Sequence, residues 1–163
     1  MRRPALAISV GLLSGCAYLP SPYATLPDEE CAVFVDLIDA LDDPARPKGQ
    51  QDGDYAPSAF PASPRLDTPI GGPGGKADVT TCKELMRRVH AHDVGAVAYL
   101  RDPDPQGPSV LFSRVTFDAD HKTAAFDYVP AWGPLGMEVW ALTMTRGADG
   151  HWKLQSWKLE MVS

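Results

Sequence analysis

Residues 137–162, MEVWALTMTRGADGHWKLQSWKLEMV, decide the fold. Two apolar-rich runs, Met137 to Arg146 and His151 to Val162, flank Gly147-Ala148-Asp149-Gly150. A turn that short joins neighbouring strands as an antiparallel hairpin. In the second run Trp152 and Leu154 share one face by alternation, whereas Trp157, Leu159 and Met161 fall on the other. A slip of one residue sends every following side chain to the opposite face. The change of phase at Gln155-Ser156 therefore predicts a β-bulge, which bends a sheet; a strand buried on both faces is the alternative.

Upstream, Val110 to Phe117 and Thr123 to Val129 also show period two and are joined by Asp118-Ala119-Asp120-His121-Lys122. Pro130 to Gly136 is a longer, partly apolar link. Val94 to Leu100 predicts a further strand ahead of the rigid Asp102 to Pro108 connection. Together these runs predict a curved antiparallel β-meander of about four to five strands.

Two helices precede the meander. Pro27 stands at a first helical position, Asp28, Glu29 and Glu30 put negative charge at the positive end of the dipole, and Cys31, Phe34, Leu37, Ile38 and Leu41 recur at helical spacing. Asp36, Asp39 and Asp42 fall on other faces and read as a solvated helix end, since they do not make a calcium loop. The second helix opens at Thr81, with Glu84 three residues on as a capping box. Cys82, Leu85, Met86 and Val89 form its apolar stripe, and Lys83, Arg87 and Arg88 face water. The expected class is thus α+β, two N-terminal helices packed on the concave side of a curved sheet.

Residues 44–76 separate the helices. Seven prolines and six glycines between Pro44 and Gly75 exclude a helix or an inner strand, so the insert is expected to be disordered or loosely packed. Its end, Gly71-Gly72-Pro73-Gly74-Gly75-Lys76, lacks the spacing and the Ser/Thr of a phosphate loop.

At the other end of the chain, Arg2 and Arg3 precede an apolar run from Pro4 to Leu13, far shorter than the roughly 20 residues that span a bilayer. Leu13-Ser14-Gly15-Cys16 resembles the lipobox of bacterial lipoproteins. The resemblance implies a signal peptide over residues 1–15, cleavage before Cys16, and a thioether-linked diacylglycerol plus an N-acyl chain such as palmitate on that cysteine. It also implies an outer-membrane address facing the periplasm, because Ala17 replaces the aspartate that signals inner-membrane retention. Each buried methylene contributes about 0.8 kcal/mol, so several chains give stable attachment. Residues 16–26, with Pro20 and Pro22, form the expected tether, and residues 27–163 one domain.

Loss of Arg2 and Arg3 with the leader takes the net charge from −6 to −8. That balance argues against nucleic acid and against electrostatic docking on anionic lipid. With Cys16 consumed by lipid, Cys31 and Cys82 remain, and an even pair in an oxidising compartment points to one disulfide.

The last 55 or so residues resemble a group of uncharacterised secreted bacterial proteins through Ser113-Arg114-Val115-Thr116-Phe117, Thr123-Ala124-Ala125-Phe126, Gly133-Pro134-Leu135-Gly136 and Asp149-Gly150-His151-Trp152-Lys153. The resemblance implies a shared fold and transfers no activity. Among individual residues, Trp132, Trp140, Trp152 and Trp157 read as core and sheet packing. Ser113 lacks a nucleophile elbow, and His90 and His92 fall on different helical faces, so no catalytic residue, cofactor or metal ligand is assigned. Arg114 is the most informative charge, expected either in a buried pair with Asp127 or Glu138 or inside a concave pocket with them. The leading expectation is a non-catalytic, lipid-anchored binding or structural module of the periplasm whose partner is an envelope protein or another envelope component. A pocketed small-molecule binder or enzyme built on Arg114, Asp127, Glu138 or the histidines is the alternative, and a cell-wall enzyme inhibitor presenting Pro130 to Gly136 is the third.

Overall fold

A computed structural model describes residues 22–43, 56–57, 60–61, 64–66, 70–91, 108–132 and 136–162. The lipobox, the expected strand at 94–100, His92 and the middle of the 130–136 link lie outside the described residues. The chain runs β1 (Ala24–Thr25), α1 (Asp28–Asp42), β2 (Arg65–Leu66), β3 (Ala77–Asp78), a 3-10 turn (Val79–Thr81), α2 (Lys83–Ala91), β4 (Ser109–Phe112), β5 (Thr116–Phe117), β6 (Thr123–Ala131), β7 (Glu138–Arg146) and β8 (Trp152–Val162). The main sheet has the order β2-β4-β6-β7-β8, with β5 also paired to β6, and all its pairings are antiparallel except β2 with β4. The class is α+β.

The bulge expected in the last strand is present. Thr143 pairs with Ser156 and Met144 with Leu154, so Gln155 is the extra residue; a second shift leaves Glu160 extra between Leu159 and Met161. The first shift returns Trp157 and Leu159 to the face that carries Leu154. On that face Phe126 is paired with Leu142, Leu142 with Trp157, Tyr128 with Trp140, and Trp140 with Leu159. Phe34 of α1 is fully buried against this layer, stacked on Phe112 at 4.5 Å and edge-on to Phe126 at 5.4 Å between ring centroids.

Three expectations need correction. Among the described residues α1 makes the main helix contact with the sheet, chiefly on β8, while α2 packs mainly on α1. The run Val110 to Phe117 is not one strand, because its middle donors leave the ladder: Arg114 N–H goes to the Gly71 carbonyl at 3.1 Å and Val115 N–H to Glu30 Oε2 at 3.2 Å. The expected boundary between tether and domain is the third: Ala24 and Thr25 pair in parallel with Ala77 and Asp78, and Leu26 is buried, so these three residues belong to the folded domain.

The insert and the second cap differ as well. Pro57, Phe60, Pro61, Pro64 and Ile70 are buried, so the described part of 44–76 packs on the domain, and Arg65–Leu66 adds a parallel strand at its edge. Thr81 does not cap α2. Its hydroxyl donates to the Asp78 carbonyl and accepts from Leu26 N–H, whereas Cys82 Sγ accepts from Leu85 N–H at 3.3 Å and Glu84 pairs with Arg87 and Arg88. Cys82 is disulfide-bonded to Cys31, Cα to Cα 5.6 Å, which ties the first turn of α1 to the start of α2.

Candidate functional site

The acidic first turn of α1 does more than complement the helix dipole. Glu30 is buried and accepts from Arg114 through Nε at 2.8 Å and Nη2 at 2.5 Å. Arg114 Nη1 completes the arrangement by donating to the carbonyls of Gly75 at 3.0 Å and Gly74 at 3.4 Å. The carboxylate bonded to it raises the Arg114 pKa further, so the guanidinium is permanently charged. Gly74 and Gly75 take positive φ, and a Cβ on Gly72 would lie 2.7 Å from Arg114 Cβ. The glycine segment that could be mistaken for an anion loop wraps a cation, through its carbonyls.

Arg114, Asp127 and Glu138 are therefore not brought together, neither as a pair nor in a pocket. Arg114 is committed to Glu30 and the glycine loop. Asp127 lies between the buried Phe126 and Tyr128 on the other side of the sheet, where burial and the neighbouring Glu160 push its carboxyl up. Glu138 accepts from Trp140 Nε1 at 2.7 Å and so satisfies a buried indole. The Ser113 hydroxyl serves backbone groups, donating to the Arg114 carbonyl and accepting from Asp127 N–H.

Two histidines on hairpin turns meet α1 instead. His121 Nδ1 is 2.8 Å from Glu29, which Arg146 also approaches, and His151 Nδ1 is 3.2 Å from Asp36. Asp36 accepts in addition from Trp152 N–H at 2.7 Å, the first amide of β8. Among the described residues no group of three His, Cys, Asp or Glu side chains could hold a metal ion.

Between α1 and β8 lies a groove of about 530 Å3. Asp36, Asp39, Ala40 and Asp43 line it from the helix; His151, Lys153, Leu154 and the indoles of Trp152 and Trp157 line it from the strand. Both indoles are buried, so they form a floor rather than a rim. Asp39 is paired with Arg88 of α2 at 2.9 Å, and Lys153 is drawn toward Asp149 at 3.1 Å. The groove presents carboxylates over an aromatic base, a chemistry for holding a polar or cationic chain. The signal for it was available: Asp36, Asp39 and Asp43 stand at i, i+3 and i+7, one stripe of a helix.

Among the described residues, the opposite face of the sheet carries half-buried and exposed side chains. Leu111 pairs with Val129 and Val139 with Met161, and the β6–β7 register continues this row across the sheet. Trp132, expected in the packing, is 47% exposed beyond the end of β6, its N–H donating to the Gly136 carbonyl. The other three tryptophans are buried as expected. No protein-family model, no curated protein and no solved structure matches this chain.

Proposed function

We propose that this chain is a non-catalytic binding module of the cell envelope, anchored through lipid on Cys16 to the outer membrane and facing the periplasm. Its partner, an envelope protein, engages the groove between α1 and β8. The observation that carries the reading is the filling of the helix-covered face. Phe112, Phe126, Trp140 and Trp157 are all buried there, occupying the space that a substrate pocket in a concave sheet would need. The two bulges of β8 support a curved sheet under α1. The Cys31–Cys82 disulfide supports an oxidising compartment.

Two measurements test it. Cys16→Ser should move the protein from the membrane to the soluble fraction and leave the leader uncleaved; unchanged partition and processing would refute the anchor. The mature chain, used as bait on solubilised envelope, should retain a protein that an Asp39→Asn/Asp43→Asn double variant does not. Equal recovery by both baits would remove the groove from the proposal.

A further inference from the structure

Among the described residues β8 is the last strand of the sheet and pairs with β7 alone. One side of its backbone is therefore an edge, and hydrogen bonds give the direction of that edge. The His151 carbonyl accepts from Gly147 N–H within the hairpin, whereas Trp152 N–H turns away from β7 and donates to Asp36 of α1. Backbone groups of successive residues point to opposite sides of a strand, so the Leu154 amide faces the same way as that of Trp152. The groove between α1 and β8 lies along this edge, lined by Trp152, Lys153 and Leu154 in succession. Consecutive side chains leave opposite faces of a strand, so a cavity that touches all three follows the backbone edge rather than one face.

The walls select the occupant. Asp39 and Asp43 line the groove from α1, one helical turn apart. Asp39 is paired with Arg88, but both side chains are more than a third exposed, and such a pair exchanges readily for an incoming cation. Lys153 and Lys158 leave the other face of β8, opposite Thr145 and Ala141. A strand laid along the edge thus meets carboxylates with alternate side chains and lysines with the rest. From Asp36 to Asp43 the helix covers roughly 10 Å, the length of about three strand residues. A second copy of β8 fits poorly. Two copies bring like net charge together, −6 on each, and the bulges at Gln155 and Glu160 interrupt the regular edge that such pairing needs.

We propose that the edge of β8 takes up a short extended segment of the envelope protein as an added strand. Its basic side chains, at alternate positions, turn toward Asp39 and Asp43, and uncharged ones lie beside Lys153 and Lys158. This rests on the groove reading and names its mode: main-chain hydrogen bonds supply affinity, and the charge pattern supplies the choice of partner. Asp36 already holds the Trp152 amide, so the Leu154 amide is the donor that meets the incoming strand.

The test uses the full mature chain and a synthetic hexapeptide that alternates lysine and threonine, with amide exchange followed by nuclear magnetic resonance. Exchange at Leu154 is expected to be fast in the free chain and about tenfold slower at saturating peptide. The same peptide N-methylated at two successive residues loses a donor on each of its edges and should bind about tenfold more weakly. A block peptide, three lysines followed by three threonines, cannot place its charges on one face and should bind several-fold more weakly. So should the alternating peptide on Asp39→Asn/Asp43→Asn. The proposal is overturned if the alternating peptide does not bind, or if any of these controls binds equally well. It is also overturned if Leu154 exchanges slowly before peptide is added, or if binding leaves its exchange unchanged. Should the peptide results fail while the envelope bait still distinguishes the parent from Asp39→Asn/Asp43→Asn, the groove reading stands and only the added strand falls. Equal recovery by both baits removes the groove reading and this proposal with it.

Discussion

Glu30 and Arg114, 84 positions apart, form a side-on ion pair with side chains only 5% and 10% exposed. The pair joins the first turn of α1, the break between β4 and β5, and the glycine loop. A buried charge left without its partner is far costlier than the pair itself is stabilising. Glu30→Ala is therefore expected to lower unfolding free energy by about 3–5 kcal/mol. The double variant Glu30→Leu/Arg114→Met should recover most of that loss. Urea denaturation of the two variants checks it, and a double variant as unstable as the single one would contradict the account.

Gly72 is needed for close approach. An added Cβ meets Arg114 Cβ at 2.7 Å, an atom near the backbone that has little room to yield. Gly72→Ala should cost about 1–3 kcal/mol, in the range of overpacked sites. Gly71→Ala, whose Cβ would meet nothing within 4 Å, serves as the matched control in the same thermal melt.

The disulfide closes a separation of 51 residues between elements that α1–α2 packing already brings together. Restricting the unfolded chain in this way contributes roughly 4 kcal/mol in the chain-entropy model. Cys31→Ser/Cys82→Ser should lower the urea midpoint accordingly. The parent chain should yield no alkylatable thiol at either position until it is reduced.

Two aspartates titrate in opposite senses. Burial and Glu160 raise the folded pKa of Asp127 above the ordinary 3.8, so its favourable contribution is full below that value and is lost as pH rises through the higher folded value. Asp127→Asn should be neutral or stabilising at pH 7 and lose that advantage at pH 3. Asp118 is lowered, first by the backbone N–H of Thr123 and then by that of Lys122, so its contribution is present above the unfolded pKa and lost as pH falls through the folded one. Asp118→Asn should therefore destabilise at pH 7 and converge with the parent in acid. Melting curves of both variants from pH 2 to pH 8 separate the two signs.

What could be read from the chain alone were features that depend on neighbours in sequence. Period-two runs located β6, β7 and β8 to within two residues, and the phase change at Gln155-Ser156 located a bulge, because alternation is a property of the strand itself. Apolar spacing located both helices, and the pairing of Cys31 with Cys82 was accessible once Cys16 was set apart. The partners of charged side chains were not accessible in this way. Asp127 and Glu138 were the natural choices for Arg114 because they lie on neighbouring strands, yet Glu30 takes it from the helix. Burial at that junction selects the carboxylate that the fold brings within hydrogen-bond reach, whatever its distance along the chain.

The sequence by itself determined the local elements, their class and the hairpin order, since backbone geometry and side-chain alternation are set over a few residues. Only the tertiary structure decided which face of the sheet α1 covers, that the glycine loop closes on Arg114, and that Asp36, Asp39 and Asp43 border a groove floored by Trp152 and Trp157. Those arrangements depend on contacts between distant segments, whose energies are settled by packing and desolvation after the elements have met.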